Sequence, residues 1–312
     1  MKIAIICGSI ALGLFLLFFL AVFLLYRFIF YSPRKGQLND FNLQDSTNYR
    51  GYEERIKKLI TDLMNRPCED IYIQSFDKLK LHARLFENEK SNKVAILCHG
   101  YRGTAYRDFC GGATEMLELG YNVILIDQRA HGLSEGKYST GGIKEAEDVS
   151  LWMKYLHEEL NQKEIFLHGV CVGTCCATIV VTKYKVDYLK AVILDSAFIS
   201  YKEIYKNHYI EGGHKLFPVF YQIWMWFKFF TKCNIDDSNP EKYMPDFDLP
   251  VLFMWGTKDV YCLPEKSKIL FEKCGSKNKE IEWFEGAEHS RVRLNNEERY
   301  DSLVSDFLAR QR

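Results

Sequence analysis

Hydrophobic positions along the chain fall into distinct regimes. The first is continuous: from Ile3 to Tyr26 the sequence reads IAIICGSIALGLFLLFFLAVFLLY, with no charge between Lys2 and Arg27. As a helix rising ~1.5 Å per residue this run covers roughly 36 Å, enough for a bilayer core of about 30 Å. A cleaved signal peptide has an apolar stretch of about 7–15 residues and a small-residue cleavage site, whereas here bulky RFIFY follows. The pattern predicts a single-pass N-terminal membrane anchor over residues 1–31. Lys2 before the run and Arg27, Arg34 and Lys35 after it bias the charge too weakly to choose the side on which the rest of the chain lies.

Residues 32–50, SPRKGQLNDFNLQDSTNYR, are polar and broken by Pro33 and Gly36, which predicts a linker. From 51 to 312 the pattern is that of one α/β domain. The segment YEERIKKLITDLMN has helical spacing, and eight short β-branched or apolar runs follow at 71–75, 79–86, 93–98, 122–127, 164–168, 191–195, 251–255 and 281–284. The first two alternate polar with apolar, as a hairpin does. The other six are nearly continuous apolar runs separated by helical stretches such as GIKEAEDVSLWMKYLHEEL, the signature of buried parallel strands. The expectation is a mostly parallel eight-stranded sheet flanked by helices. It is interrupted only by an aromatic insert over about 199–240, which contains FPVFYQIWMWFKFF.

Composition narrows the function. Forty-one basic residues balance 41 acidic ones in 312, so no net positive field draws nucleic acid to the surface. Nine cysteines lie outside the apolar run, without C-x-x-C pairs or framework-like spacing, which points to reduced thiols rather than disulfides or zinc ribbons. His157, Glu158 and Glu159 begin like a zinc-protease motif, but no second histidine follows at the required spacing. No metal and no cofactor is assigned.

The chemistry concentrates at strand ends. The fifth strand runs into His168-Gly169-Val170-Cys171-Val172-Gly173, followed by TCCATIVVTKY. This is G-x-C-x-G where a strand turns into a helix: the glycines relieve crowding in a tight turn and push the central side chain out above the sheet. The same turn sets the Val172 N–H at a helix N-terminus, where an oxyanion can be stabilised. The third strand ends in CHGYRG, whose Tyr101 N–H is a second candidate donor. Asp259 follows the seventh strand and His289 follows the eighth, within GAEHS.

In this order of nucleophile, acid and histidine, the body resembles the α/β-hydrolases. It is similar to bacterial membrane-anchored hydrolases grouped with serine aminopeptidase-type proteins. The resemblance covers roughly residues 67–310 and rests on CHGYRG, DQRAHGLSEG, LHGVCVG, DSAF, LPVLFMWGTKD and GAEHS. It implies Cys171 as nucleophile, His289 as base and Asp259 as the acid orienting it, with Tyr101 and Val172 as oxyanion donors.

The chain departs from that family at the nucleophile, where serine is usual. Some members of the fold, of the dienelactone-hydrolase type, carry cysteine there. A thiolate is expelled easily from a tetrahedral intermediate, so poor leaving groups such as amines tend to lose to it. The expected reaction is therefore hydrolysis of carboxylic esters or thioesters of a small or lipid-like acyl substrate. Peptidase or acyltransferase activity, or an inactive hydrolase relative that binds a lipid or protein, stand as alternatives. Cys175 and Cys176 are read as core, and His99 and His131 as turn supports. The insert is read as a cap whose Trp224 and Trp226 line an acyl pocket, against membrane contact or plain packing as other roles.

Overall fold

The computed structural model describes residues 2–32, 40, 41, 43, 49–88 and 91–311, so most of the expected linker lies outside the described residues. Helix α1 (Lys2–Phe30) precedes α2 (Glu53–Met64) and the strands β1 (Glu69–Gln74), β2 (Lys80–Phe86) and β3 (Lys93–Cys98). Next come α3 (Ala105–Phe109), α4 (Gly112–Glu118), β4 (Asn122–Asp127), α5 (Ile143–Glu158), β5 (Glu164–Val170), α6 (Val172–Lys183) and β6 (Leu189–Asp195). The insert carries α7 (Tyr201–Glu211) and α8 (Val219–Thr231), followed by the single turn α9 (Pro240–Tyr243). The chain finishes with β7 (Val251–Gly256), α10 (Pro264–Lys273), β8 (Lys279–Phe284), α11 (Val292–Asn295) and α12 (Glu297–Ala309).

The eight strands form one sheet in the order β1-β2-β4-β3-β5-β6-β7-β8. β1 pairs antiparallel with β2, and β2 antiparallel with β4. Every other pairing is parallel. The hairpin and the parallel run are thus where the alternating and the continuous apolar patterns predicted them.

Continuous apolar strands follow from covering both faces. Along β3, Val94, Ile96 and Cys98 join the core that includes Trp152, Cys175 and Cys176 of α5 and α6. Ala95 and Leu97 point to the opposite core, with Ile56, Met116 and Phe307 of α2, α4 and α12. Each successive side chain therefore needs to be apolar.

Helix α1 meets the test of length and composition for crossing a membrane, and its most apolar window is uncovered by the rest of the chain. Its C-terminal turns behave differently. Val22, Tyr26 and Phe30 are buried, and the aromatic insert covers them. Ring centroids of Phe19 and Trp226 lie 4.8 Å apart, those of Phe23 and Phe230 5.6 Å, and those of Phe30 and Phe227 5.0 Å.

Close packing also dictates the turn between β5 and α6. A side-chain carbon on Gly173 would run into the Cys98 carbonyl, and one on Gly169 into the backbone of Gly173. Gly173→Ala is therefore expected to cost about 2 kcal/mol and to lower the unfolding midpoint by roughly 4–8 °C, measured by calorimetry on the detergent-solubilised chain.

Candidate active site

Cys171 sits on the turn that leaves β5, at φ 53° and ψ −114°. This positive φ is unfavourable for any residue with a side chain, and the surroundings enforce it. The Cys171 N–H donates to the Asp195 carbonyl at 3.1 Å, and the Cys171 carbonyl accepts from the Thr174 amide at 2.9 Å and the Thr174 hydroxyl at 2.6 Å. Val172 opens α6, where the first amides have no acceptor within the helix. Gly100, at the end of β3, lies so close that a side chain there would press on Cys171 Cβ.

Asp259 and His289 come from neighbouring turns that are stitched together. Thr257 and Lys258 amides donate to the carbonyls of Phe284 and Ala287 at 3.0 and 2.9 Å, and the Gly286 amide donates to Thr257 Oγ1 at 2.9 Å. Asp259 is buried, with one carboxylate oxygen 2.8 Å from His289 Nδ1 and the other accepting the amides of Tyr261 and Cys262 at 2.8 and 2.7 Å. Burial alone would lower the imidazole's pKa; the Asp259 carboxylate, together with Cys262 and Cys171, outweighs it and holds the pKa of His289 well above the usual histidine value.

Cys171, His289 and Tyr101 share one cleft of about 400 Å³, bounded also by Tyr49, Arg102, Arg107, Tyr201, Ile204, Tyr205 and Tyr261. Cys171 is half-buried, whereas Cys175, Cys176 and Cys262 are buried. Burial pushes the Cys175 thiol up to about 12 and those of Cys176 and Cys262 upward as well. His99 and His131 brace turns as expected: Gln128 N–H donates to His99 Nε2 at 3.2 Å, and His131 Nδ1 meets the Arg129 carbonyl at 3.0 Å.

Neither Trp224 nor Trp226 borders this cleft. They face the N-terminal helix. Trp226 packs on Phe19 and Phe23, and Trp224 on Phe30 and Tyr205. Part of the apolar face of α8 packs on α1 residues far away in the sequence.

The cleft and its surroundings also contain residues that sequence reasoning did not single out. Tyr201 and Tyr205, on α7, contribute its tyrosine wall. Cys262, three residues beyond Asp259, groups with Asp259 and His289, one candidate metal-ligand atom from each lying within 4.8 Å of the others. Its thiol already meets the Ser196 carbonyl at 3.1 Å. Only the short spacing from Asp259 could have flagged it.

Behind the cleft, Asp195 is buried, with its carboxylate accepting from Ser196 Oγ at 2.8 Å and Tyr300 OH at 3.0 Å. Ser196 Oγ in turn accepts the Ser290 amide at 3.0 Å, tying the His289 loop to β6. Burial raises the Asp195 carboxyl to about 6 despite these donors. The folded chain then holds this proton more tightly than the unfolded chain, whose carboxyl titrates near 4, so the stability contributed by the group is lost as pH rises from about 4 to 6. In Asp195→Asn this component is removed, and the difference in unfolding midpoint between wild type and variant is expected to change across that window in favour of the variant at the upper end.

Comparisons with known proteins agree with this fold. Residues 94–208 match the family described as alpha/beta hydrolase fold, and residues 237–296 match the one described as serine aminopeptidase, S33. The chain is similar to protein bem46 of Schizosaccharomyces pombe, 26% identical over 248 residues that cover 78% of each chain. It is also similar to the lysophosphatidylserine lipase ABHD12 of Danio rerio, 25% identical over 59% of this chain and 48% of that one. An esterase from Pyrococcus furiosus superposes with a TM-score of 0.66 at 26% identity, covering 80% of this chain and 93% of that one. The sheet order, the turn at Cys171 and these matches together show that the chain has the α/β-hydrolase fold.

Proposed function

We propose that this protein is a membrane-anchored hydrolase of carboxylic esters or thioesters, working through an acyl-enzyme on Cys171. The observation that carries the reading is the strained Cys171 turn opening into the same cleft as a histidine fixed by a buried carboxylate. On this reading His289 takes the thiol proton, the thiolate attacks the substrate carbonyl, and the amides of Tyr101 and Val172 stabilise the resulting oxyanion. The imidazolium then protonates the leaving alcohol or thiol. After departure, His289 draws a proton from water, and the hydroxide formed cleaves the thioester to acid and free Cys171.

Asp259 acts by orienting the imidazole and stabilising its charged form. The esterase and lipase names carried by the relatives support ester substrates, and α1 supplies a helix suited to anchoring the body in a bilayer. The S33 match keeps a peptidase in view, but the ease with which a thiolate leaves argues against amides, whose amine is the poorer leaving group.

Cys171→Ala and His289→Ala are each expected to lower kcat/KM for p-nitrophenyl butyrate by 10³-fold or more, a magnitude typical of a residue acting within a catalytic triad. A matching peptide anilide should turn over far more slowly than the ester; equal rates would refute the thiolate argument. In Asp259→Asn the imidazole loses the charge that raises its pKa, so the acid limb of kcat/KM against pH should move to lower pH while the plateau falls. Iodoacetamide followed by peptide mass spectrometry should label Cys171 ahead of Cys175, Cys176 and Cys262.

A further inference from the structure

A second cavity lies between the N-terminal helix and the insert. It has a volume of about 550 Å³, within the roughly 300–1,000 Å³ usual for small-molecule sites. Phe18, Ala21, Val22, Leu25 and Ile29 of α1 form one wall, and Tyr205, Val219, Phe220, Ile223 and Trp224 of the insert form much of the other. The lining is overwhelmingly apolar.

Two features place this hollow beside the active cleft. Tyr205 belongs to the walls of both. Ile29 lines the hollow, and its carbonyl accepts the hydroxyl of Tyr101, which lines the cleft.

Two further features place it at a membrane surface. A bilayer core takes about 20 helical residues, so an uncharged run beginning at Ile3 reaches the far side of that core near Val22, within the stretch of α1 that lines the hollow. Beside it, the outer side of the insert exposes Phe217, Tyr221, Met225 and Phe229, spaced four residues apart. An apolar stripe of this kind suits the boundary between headgroups and acyl chains.

We infer that the hollow between α1 and α8 binds the acyl chain of a bilayer lipid ester, which enters sideways from the membrane and passes its ester carbonyl across Tyr205 to Cys171. The inference rests on the proposed function for its chemistry. It adds a binding site in which the anchor itself forms one wall, and it makes long-chain lipid esters the substrate class.

The test uses the full chain in phosphatidylcholine nanodiscs, with p-nitrophenyl palmitate and butyrate as substrates and Ala21→Phe and Val219→Phe as variants that fill the hollow. Each is expected to lower the palmitate-to-butyrate ratio of kcat/KM at least tenfold. An unchanged ratio overturns the inference, whereas wild-type butyrate turnover in Cys171→Ala overturns the Cys171 mechanism and leaves the site to a binding measurement. That measurement is quenching of Trp224 by a lysophosphatidylcholine brominated along its acyl chain, read in a Cys171→Ala, Trp226→Phe background with Trp224→Phe as the control. Quenching that Ala21→Phe and Val219→Phe reduce severalfold supports the site. Quenching that is absent, or that persists unchanged in both, refutes it.

Discussion

The left-handed backbone at Cys171 is the constraint around which the body is organised. A residue with a side chain adopts that conformation only if its neighbours hold it, and here they come from two strands and a helix. β6 accepts its amide through Asp195, Gly173 of α6 lies flat on the Cys98 carbonyl at the end of β3, and Gly100 beyond β3 leaves space for Cys171 Cβ. The tight seam also brings the turn after β3, which carries Tyr101, to the same edge of the sheet. Asp259 and His289 reach that edge from β7 and β8 through a separate set of backbone hydrogen bonds. Ser196 and Ser290 join the two halves.

A second organising contact is aromatic and lies outside the sheet. Phe19, Phe23, Tyr26 and Phe30 of α1 meet Trp224, Trp226, Phe227 and Phe230 of α8 ring to ring. These large rings remove much apolar surface from water and add their own pairwise attraction. The contact fixes the insert relative to the N-terminal helix and accounts for the aromatic excess of both segments. A periodicity that reads in isolation as the lining of a cap is satisfied here by a helix nearly two hundred residues earlier in the chain.

That difference shows how far the sequence could be read. The eight strands were legible because each is a short, strongly apolar segment bounded by turn residues, and β-pairing preserves that local pattern. Cys171, Asp259 and His289 were legible as a set because each stands just past a strand whose end the pattern already marks. What Trp224 and Trp226 pack against was not, since helical spacing reveals that a face is buried without naming what buries it. Cys262 went unread for a related reason: its meaning comes from how the loop after Asp259 folds back, and a lone cysteine in a loop has no periodicity. The tyrosine wall of Tyr201 and Tyr205 likewise depends on how the insert lies over the sheet.

The end of the N-terminal helix is tied to the body by hydrogen bonds. The Ile29 and Phe28 carbonyls accept from Tyr101 and Arg102, Ser139 N–H donates to the Phe30 carbonyl at 3.3 Å, Ser32 N–H donates to the Lys137 carbonyl at 2.9 Å, and Tyr31 bridges to Tyr138. If α1 spans a bilayer, the angle of the helix and the heading of the cleft are one mechanical variable. Apolar helices longer than the local hydrocarbon thickness accommodate by tilting. A thinner membrane would then swing the mouth of the cleft towards or away from the lipid surface, making bilayer thickness a dial on which molecules the cleft can reach.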